Sequence, residues 1–173
     1  VASEPEWPAR WLPTDDQGWT VLRPSTESRL VYVSANGDDD TAHAYSAASL
    51  EVGSDSTQPA GKVQAYRTIA AAKAQLRPEH PDWLLLRRGD GWNESLGTLP
   101  NGKGPTAPAV TSAYGPKPER PIIMPAEQQG IQCDMKRGYH DIVVTGIEFY
   151  SYTKDPKHPD FGKQPTRGGD AGF

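Results

Sequence analysis

Three consecutive carboxylates are the densest group of residues in this chain that could do chemistry. Asp38, Asp39 and Asp40 follow the hydrophobic segment at residues 30–34. Carboxylate oxygens are ligands that Ca²⁺ prefers, and a bound cation would relieve the repulsion between neighbouring charges. These three residues are therefore a candidate calcium site. The run lacks the spaced Asp-x-Asp-x-Asp-Gly order of a dedicated calcium loop, however, which favours a solvated turn over a bound metal.

A second candidate group is cationic. The segment CDMKRGYHD places Lys136, Arg137 and His140 at a turn between two predicted strands. Such groups can contact the carboxylates of an acidic polysaccharide, so we predict that these three residues bind substrate. A solvated turn is again the alternative. A nucleophile with His140 as its base is one interpretation of Cys133, but alternation with Ile131 favours a thiol that points into the core.

The composition restricts the class of protein. A chain of 173 residues is long enough for one domain with a sizeable core. Only 35% of the residues are hydrophobic, and 17 Gly and 17 Pro predict many turns and loops. The net charge of −4 provides no broad basic surface, which argues against a nucleic-acid partner. No apolar run is long enough to predict a membrane span.

The elements that position these residues begin with an unusual arm. Residues 1–28 contain Trp7, Trp11 and Trp19 among four prolines. Because proline removes a backbone donor and restricts the residue before it, we predict an extended arm. Large aromatic side chains are usually buried, so the tryptophans are predicted to fasten this arm to the body. Stacking on sugar rings is the alternative role for an exposed tryptophan.

One helix is predicted in the segment YRTIAAAKAQL. Thr68 can cap it, and Ile69, Ala72 and Leu76 recur at helical spacing. The alanine run between them has the highest intrinsic helix propensity, and Pro78 follows the segment. The apolar stripe is narrow, so we expect this helix to lie against another element.

The remaining hydrophobic segments are short and separated by turn residues. They lie at residues 30–34, 83–88, 109–114, 121–124, 130–135 and 141–151. Several are continuous apolar runs, which are typical of parallel strands buried on both faces. A single helix cannot supply the crossovers of an α/β sheet. We therefore predict a mostly β fold in which the chain coils as a solenoid, with the helix covering its first edge.

Five motifs in order resemble the N-terminal region of right-handed parallel β-helix proteins of the pectate-lyase-like superfamily. The motifs are LVYVSANGDDD, AYRTIAAAKAQL, PDWLLLRRGDGWNESL, AVTSAYGPKPERPIIMP and HDIVVTGIEFYS, and they cover about residues 29–151. The resemblance implies a truncated right-handed parallel β-helix with one N-terminal capping helix. The predicted domains are the Trp- and Pro-rich arm at 1–28, the cap and first coils at 29–153, and a polar loop or the start of a continuation at 154–173.

The resemblance also implies a function. We expect an exported protein, secreted or at the cell surface, that acts on acidic polysaccharide. A lyase of this kind would abstract a proton next to a carboxylate that calcium or arginine neutralises. In this family the catalytic residues lie on later coils, so we expect them outside this chain. The alternatives are a non-catalytic β-helix adhesin or carbohydrate-binding module and a calcium-binding β-sandwich. The open end of a truncated solenoid also predicts self-association.

Overall fold

Eight short strands in the described part of the chain form two sheets. The computed structural model describes residues 12–125, 129–133 and 138–163. In chain order, the strands are β1 (Arg29–Val33), β2 (Tyr45–Ser46), β3 (Trp83–Arg87), β4 (Gly91–Trp92), β5 (Ala109–Tyr114), β6 (Ile122–Ile123), β7 (Ile142–Val144) and β8 (Glu148–Phe149). The prediction of a mostly β fold is confirmed.

In both sheets, from β1 and from β4 onward, each later strand of the chain is added beside the preceding strand of the same sheet. The larger sheet has the order β2-β1-β3-β5-β7, and the smaller one has the order β4-β6-β8. β2 pairs antiparallel with β1, whereas all other neighbours in both sheets pair in parallel. Each strand of the smaller sheet follows a strand of the larger sheet after a short connection. Both sheets therefore end together, at β7 and β8.

The finer prediction, a truncated right-handed parallel β-helix with a capping helix, is not shown. The larger sheet is mixed, because β2 runs antiparallel to its neighbour. The strands of the smaller sheet have two residues each, too few for the regular coils of a solenoid. The connections between paired strands also differ greatly in length, since Leu30 lies opposite Trp83 and Trp83 lies opposite Val110. The described strands thus form two small sheets.

The central strands of the larger sheet are buried on both faces. Successive side chains of a strand point to opposite faces, so β1 and β3 each contribute to two hydrophobic clusters. One cluster contains Val31, Val33, Ile69, Leu84, Leu86, Trp92 and Ile123. The other contains Leu30, Tyr32, Tyr45, Val52, Trp83, Leu85, Val110 and Tyr114. Burial on both sides explains why these strands are continuous apolar runs in the sequence.

The predicted helix is present but short. Helix α1 (Ile69–Lys73) lies against β1 and buries Ile69 and Ala72. Thr68 is its N-cap, as predicted, and its hydroxyl accepts a hydrogen bond from the Ala71 N–H at 3.2 Å. The helix ends early because, after the C-cap Ala74, the N–H groups of Gln75 and Leu76 bond to carbonyls three residues before them, at 3.0 Å each. A helix that caps a solenoid is not shown.

Part of the predicted arm is described, and it contains a hairpin. Thr14 and Thr20 pair as an antiparallel bridge, so this part of the arm is not simply extended. Trp19 is 70% exposed, and the prediction that it fastens the arm to the body is wrong. Trp7 and Trp11 lie outside the described residues.

The predicted strand at residues 130–135 is not formed in its described part. Ile131 makes an isolated parallel bridge to Gly97, and Cys133 is exposed. The inward orientation predicted for the Cys133 thiol is therefore wrong. Apart from this bridge, the described part of the segment does not pair with a strand, and alternation alone does not bury a side chain that has no such neighbour.

Candidate functional site

Loops that precede the parallel strands bring polar side chains together at one edge of the larger sheet. Parallel strands begin at the same edge, so the chain before β1, β3, β5 and β7 reaches that edge each time. These loops carry polar side chains, and we call this set of side chains the polar row. Its members are Glu27, Glu79, Asn101, Lys103 and His140.

His140 is held between two carboxylates. Its Nδ1 lies 2.9 Å from Oδ2 of Asp141, and its Nε2 lies 3.6 Å from Oε2 of Glu79. The backbone N–H of His140 donates to Oδ1 of Asn101 at 3.3 Å. The side chain remains 49% exposed, so the ring is oriented by its neighbours and still open to a ligand. A histidine oriented by a carboxylate in this way can accept or donate a proton.

Asn101 links the loop before β3 to the loop before β7. Its side-chain amide donates to Oε1 of Glu79 at 3.2 Å and to the carbonyl of Gly138 at 3.0 Å. The backbone carbonyl of Asn101 accepts a hydrogen bond from the backbone N–H of Glu79 at 3.0 Å. The neighbouring Gly102 makes this approach possible, because a Cβ there would lie 2.4 Å from the carbonyl oxygen of Asp141. The spacing of the row therefore depends on contacts between loops that are distant in sequence.

The two carboxylates that flank His140 stand on strained backbone. Glu79 has φ 59° and Asp141 has φ 55°, and they are the non-glycine residues with positive φ in the described ranges. Left-handed backbone is uncommon outside glycine, although Asp tolerates it better than most residues. Strained residues that persist often cluster at functional sites. Their convergence on one imidazole makes this part of the row the best candidate site.

The row continues to the loop before β1 through an ion pair. Lys103 donates to Oε2 of Glu27, and both side chains are more than half exposed. The hydrogen bond from Lys103 lowers the pKa of Glu27 below its ordinary value. Because the pair is exposed, a ligand can compete for either partner at small cost.

The predicted calcium ligands lie elsewhere, at the start of α1. Oδ1 of Asp39 accepts from the N–H groups of Arg67 at 2.7 Å and Thr68 at 3.0 Å, and Oδ2 accepts from the Thr68 hydroxyl at 2.8 Å. Burial opposes ionisation, but the hydrogen bonds from Thr68 and Arg67 outweigh it and lower the pKa of Asp39. Oδ1 of Asp38 accepts from the Asp40 N–H at 2.9 Å. Asp39 thus organises the helix start.

These contacts do not fit a cation well, because both oxygens of Asp39 already accept hydrogen bonds, Oδ1 from two N–H groups and Oδ2 from the Thr68 hydroxyl. Within residues 12–125, 129–133 and 138–163, no group of three or more His, Cys, Asp or Glu side chains is arranged to hold a metal ion. Calcium binding by Asp38, Asp39 and Asp40 stays a prediction that has no geometric support of its own.

The structure describes one of the three predicted substrate-binding residues, His140. His140 belongs to the polar row, on the loop before β7, whereas Lys136 and Arg137 lie outside the described residues. The sequence did not point to Glu79 or Asn101 as site residues. The available signal was weak: each lies in a polar loop shortly before a predicted strand. Only parallel pairing indicates that such loops meet.

No protein-family model, curated protein or solved structure matches this chain. The proposed membership of the pectate-lyase-like superfamily is wrong, since neither the comparisons nor the two small sheets support it. Four of the five motifs contain a short strand followed by a turn that includes glycine, and the other is a capped helix. Such patterns follow from general strand and turn chemistry and do not require common ancestry. No described helix has the length and hydrophobicity of a membrane span.

Proposed function

We propose that this protein binds a polysaccharide chain along the polar row. The observation that carries the proposal is the placement of exposed polar groups on four successive loops at one sheet edge. Neighbouring strands are about 4.8 Å apart, so the loops before β1 and β7 are separated by about 14 Å. An extended polymer can contact all four loops at once, whereas a small molecule would contact one or two.

The side chains of the row suit the hydroxyl groups of sugars. A hydroxyl both donates and accepts; the row offers a carboxylate acceptor on Glu79, and Asp141 adds a second one beside His140. Asn101 and His140 provide groups of both kinds. Because these groups already contact one another, their positions are set before a ligand arrives, which reduces the entropy lost on binding.

An acidic polysaccharide is the more specific form of the proposal. The carboxylates of the row would repel an anionic chain unless cations lie beside them. Lys103 belongs to the row, and Lys136 and Arg137 precede His140 closely in the sequence. We propose that these three cations favour acidic over neutral polymers. The expectation of lyase chemistry came only from the resemblance, so the proposal concerns binding.

Titration calorimetry with one acidic and one neutral polysaccharide tests the proposal. Replacing His140 by alanine should weaken binding about tenfold or more, because it removes the imidazole contact and leaves the carboxylates of Glu79 and Asp141 without it. His158→Ala is a matched control, because His158 also has a neighbouring carboxylate, that of Asp160, but lies outside the row. Equal affinities of wild type and His140→Ala would contradict the proposal.

The preference for acidic polymers has its own test. The double variant Lys136→Ala and Arg137→Ala should lose affinity for the acidic polymer and retain it for the neutral one. Raising the salt concentration should weaken only the acidic complex, because screening acts on charge pairs. If the double variant binds both polymers as the wild type does, these cations do not determine the preference.

A second proposal concerns self-association through the edges of β7 and β8. Among the described strands each of these two has one neighbour in its sheet, and unpaired strand edges tend to pair with other chains. Near them, Phe149 is 42% exposed and Ile131 is 37% exposed. If the edges pair, sedimentation velocity should show a dimer that Phe149→Lys dissociates. A monomer at high concentration would contradict this second proposal.

A further inference from the structure

The hairpin of the N-terminal arm displays one aromatic side chain to solvent. Trp19 is 70% exposed, whereas Trp83 and Trp92 are buried in the two hydrophobic clusters. Tryptophan is a highly buried residue on average, because exposing its ring to water is unfavourable. Packing in the core does not account for a tryptophan at this position, because the Trp19 ring is mostly exposed to solvent.

The backbone around Trp19 is fixed by a network centred on Asp15. The Asp15 N–H donates to the Trp19 carbonyl at 2.9 Å, and Oδ1 of Asp15 accepts from the N–H groups of Trp19 at 2.9 Å and Gln17 at 3.0 Å. Gly18 adopts φ 83°, a conformation that glycine accommodates without strain. The ring is therefore presented from a tight turn, and little backbone freedom would be lost on binding.

The hairpin is anchored beside the loops that carry the polar row. Leu12 and Leu22, at its two ends, line a small cavity together with Pro81 and Trp83 from the start of β3. The same cavity is lined by residues 106–108, which precede β5. Those two connections also contain Glu79 and Asn101. Trp19 thus projects from a hairpin that packs at the same edge of the larger sheet.

We propose that Trp19 is a stacking platform for a sugar ring of the polysaccharide that lies along the polar row; this inference rests on the proposed function. One face of a pyranose ring presents C–H groups, which pack against the flat and electron-rich face of an indole. The polar row would then hold hydroxyl groups while Trp19 covers an apolar ring face. This division of roles is common in ligand sites, where aromatic surface supplies contact area and a few polar groups supply orientation.

Titration calorimetry with the polysaccharide on three variants tests the inference. Trp19→Ala should weaken binding about tenfold, and Trp19→Phe should recover most of the affinity because it restores a flat ring. Thermal unfolding should be nearly unchanged in both variants, because the side chain is exposed. Leu50→Ala is a matched control, since Leu50 is also an exposed large hydrophobic residue, at 91% exposure, but lies on a different loop.

Fluorescence provides an independent measurement. Acrylamide should quench the emission of Trp19 in the free protein, and a saturating polysaccharide should protect it. The protection should be absent in Trp19→Phe, which has no indole at this position. If wild type and Trp19→Ala bind equally well while His140→Ala binds weakly, the stacking role is overturned and the polar row stands. If the wild type binds no polysaccharide, both proposals fail together. If Trp19→Ala abolishes binding to another protein and leaves polysaccharide binding unchanged, Trp19 is a protein contact.

Discussion

The two ends of the larger sheet differ sharply although their strands have similar sequences. β1 reads RLVYV and β7 reads IVV, and both are rich in β-branched residues. Four residues of β1 are fully buried, because β2 and α1 cover that end. All three residues of β7 are half-buried, and β8 is exposed. The comparison teaches that covering elements, and not strand propensity, determine how much a strand stabilises this fold.

The same difference is seen in the aspartates that precede two of the strands. Asp82, just before β3, is buried and accepts from Arg77 Nη2 at 2.6 Å and from the Arg29 N–H at 2.9 Å. Asp141, just before β7, is partly exposed and contacts His140. One carboxylate thus joins three segments of the chain, and the other orients a surface imidazole. The buried carboxylate of Asp82 contributes stability, and the partly exposed carboxylate of Asp141 contributes to the candidate site around His140.

The largest expected effect is the loss of the Asp82 carboxylate. Asp82→Asn leaves the Arg77 charge without its partner and should reduce the free energy of unfolding by about 3 kcal/mol. The matched change Asp141→Asn should cost about 0.5 kcal/mol, because its partner His140 is half exposed and Asn can keep a hydrogen bond to the ring. Urea unfolding measures both values. Equal losses at the two positions would break the distinction between the two ends.

Acid should remove part of the same stabilisation. Burial opposes the ionised form, but hydrogen bonds from Arg77 and from the Arg29 N–H outweigh it and lower the pKa of Asp82. A carboxyl group whose pKa is lowered by folding stabilises the native state above its unfolded pKa of about 3.9. That stability is lost as the pH falls through the lower folded pKa. Thermal unfolding from pH 6 to pH 2 should therefore show a steeper loss in wild type than in Asp82→Asn, while Val144→Ala should keep the wild-type slope.

A pair of valines compares packing at the two ends. Val31 in β1 is fully buried, and Val144 in β7 is half-buried against the same cluster. Val31→Ala should cost about 2–3 kcal/mol from lost burial and an unfilled cavity. Val144→Ala should cost less than about 1 kcal/mol. Chemical denaturation of both variants measures the two losses in the free energy of unfolding. Similar losses would show that β7 is packed as firmly as β1.

The smallest expected effect concerns the start of α1. Asp39→Ala removes the acceptor for two N–H groups and should cost about 1–2 kcal/mol, as for the loss of a helix cap. Asp38→Ala removes one exposed hydrogen bond and should cost about 0.5 kcal/mol. Melting in Ca²⁺ and in EDTA should coincide for wild type. A calcium-dependent melting temperature that Asp39→Ala abolishes would support the predicted calcium site.

Several elements could be predicted from the sequence because their signals are local. The apolar runs that became β1, β3 and β5 are bounded by turn residues, and Thr68 stands at the start of an alanine-rich segment. The segment at 141–151 was predicted as one strand, but it is divided into β7 and β8 by Gly146 with φ 71°. A glycine inside an apolar run does not reveal its backbone conformation in advance.

The candidate site was only partly predictable. His140 was identified by its residue type, but its partners Glu79 and Asn101 are distant in sequence and lie in loops without a motif. The acidic run at Asp38 to Asp40 indicated a metal, whereas its middle residue bonds to Arg67 and Thr68 instead. A carboxylate offers the same oxygens to a cation and to an N–H group, so residue type alone does not separate the two roles.

The sequence by itself determined that the chain is mostly β, where its central strands lie and where its helix begins, because strand propensity, turn residues and capping act over a few residues. The tertiary structure alone decided which strands are covered, which aspartate is buried and which loops form the polar row. Those outcomes depend on pairing and packing between segments far apart in the chain. Local sequence contains no direct record of such contacts.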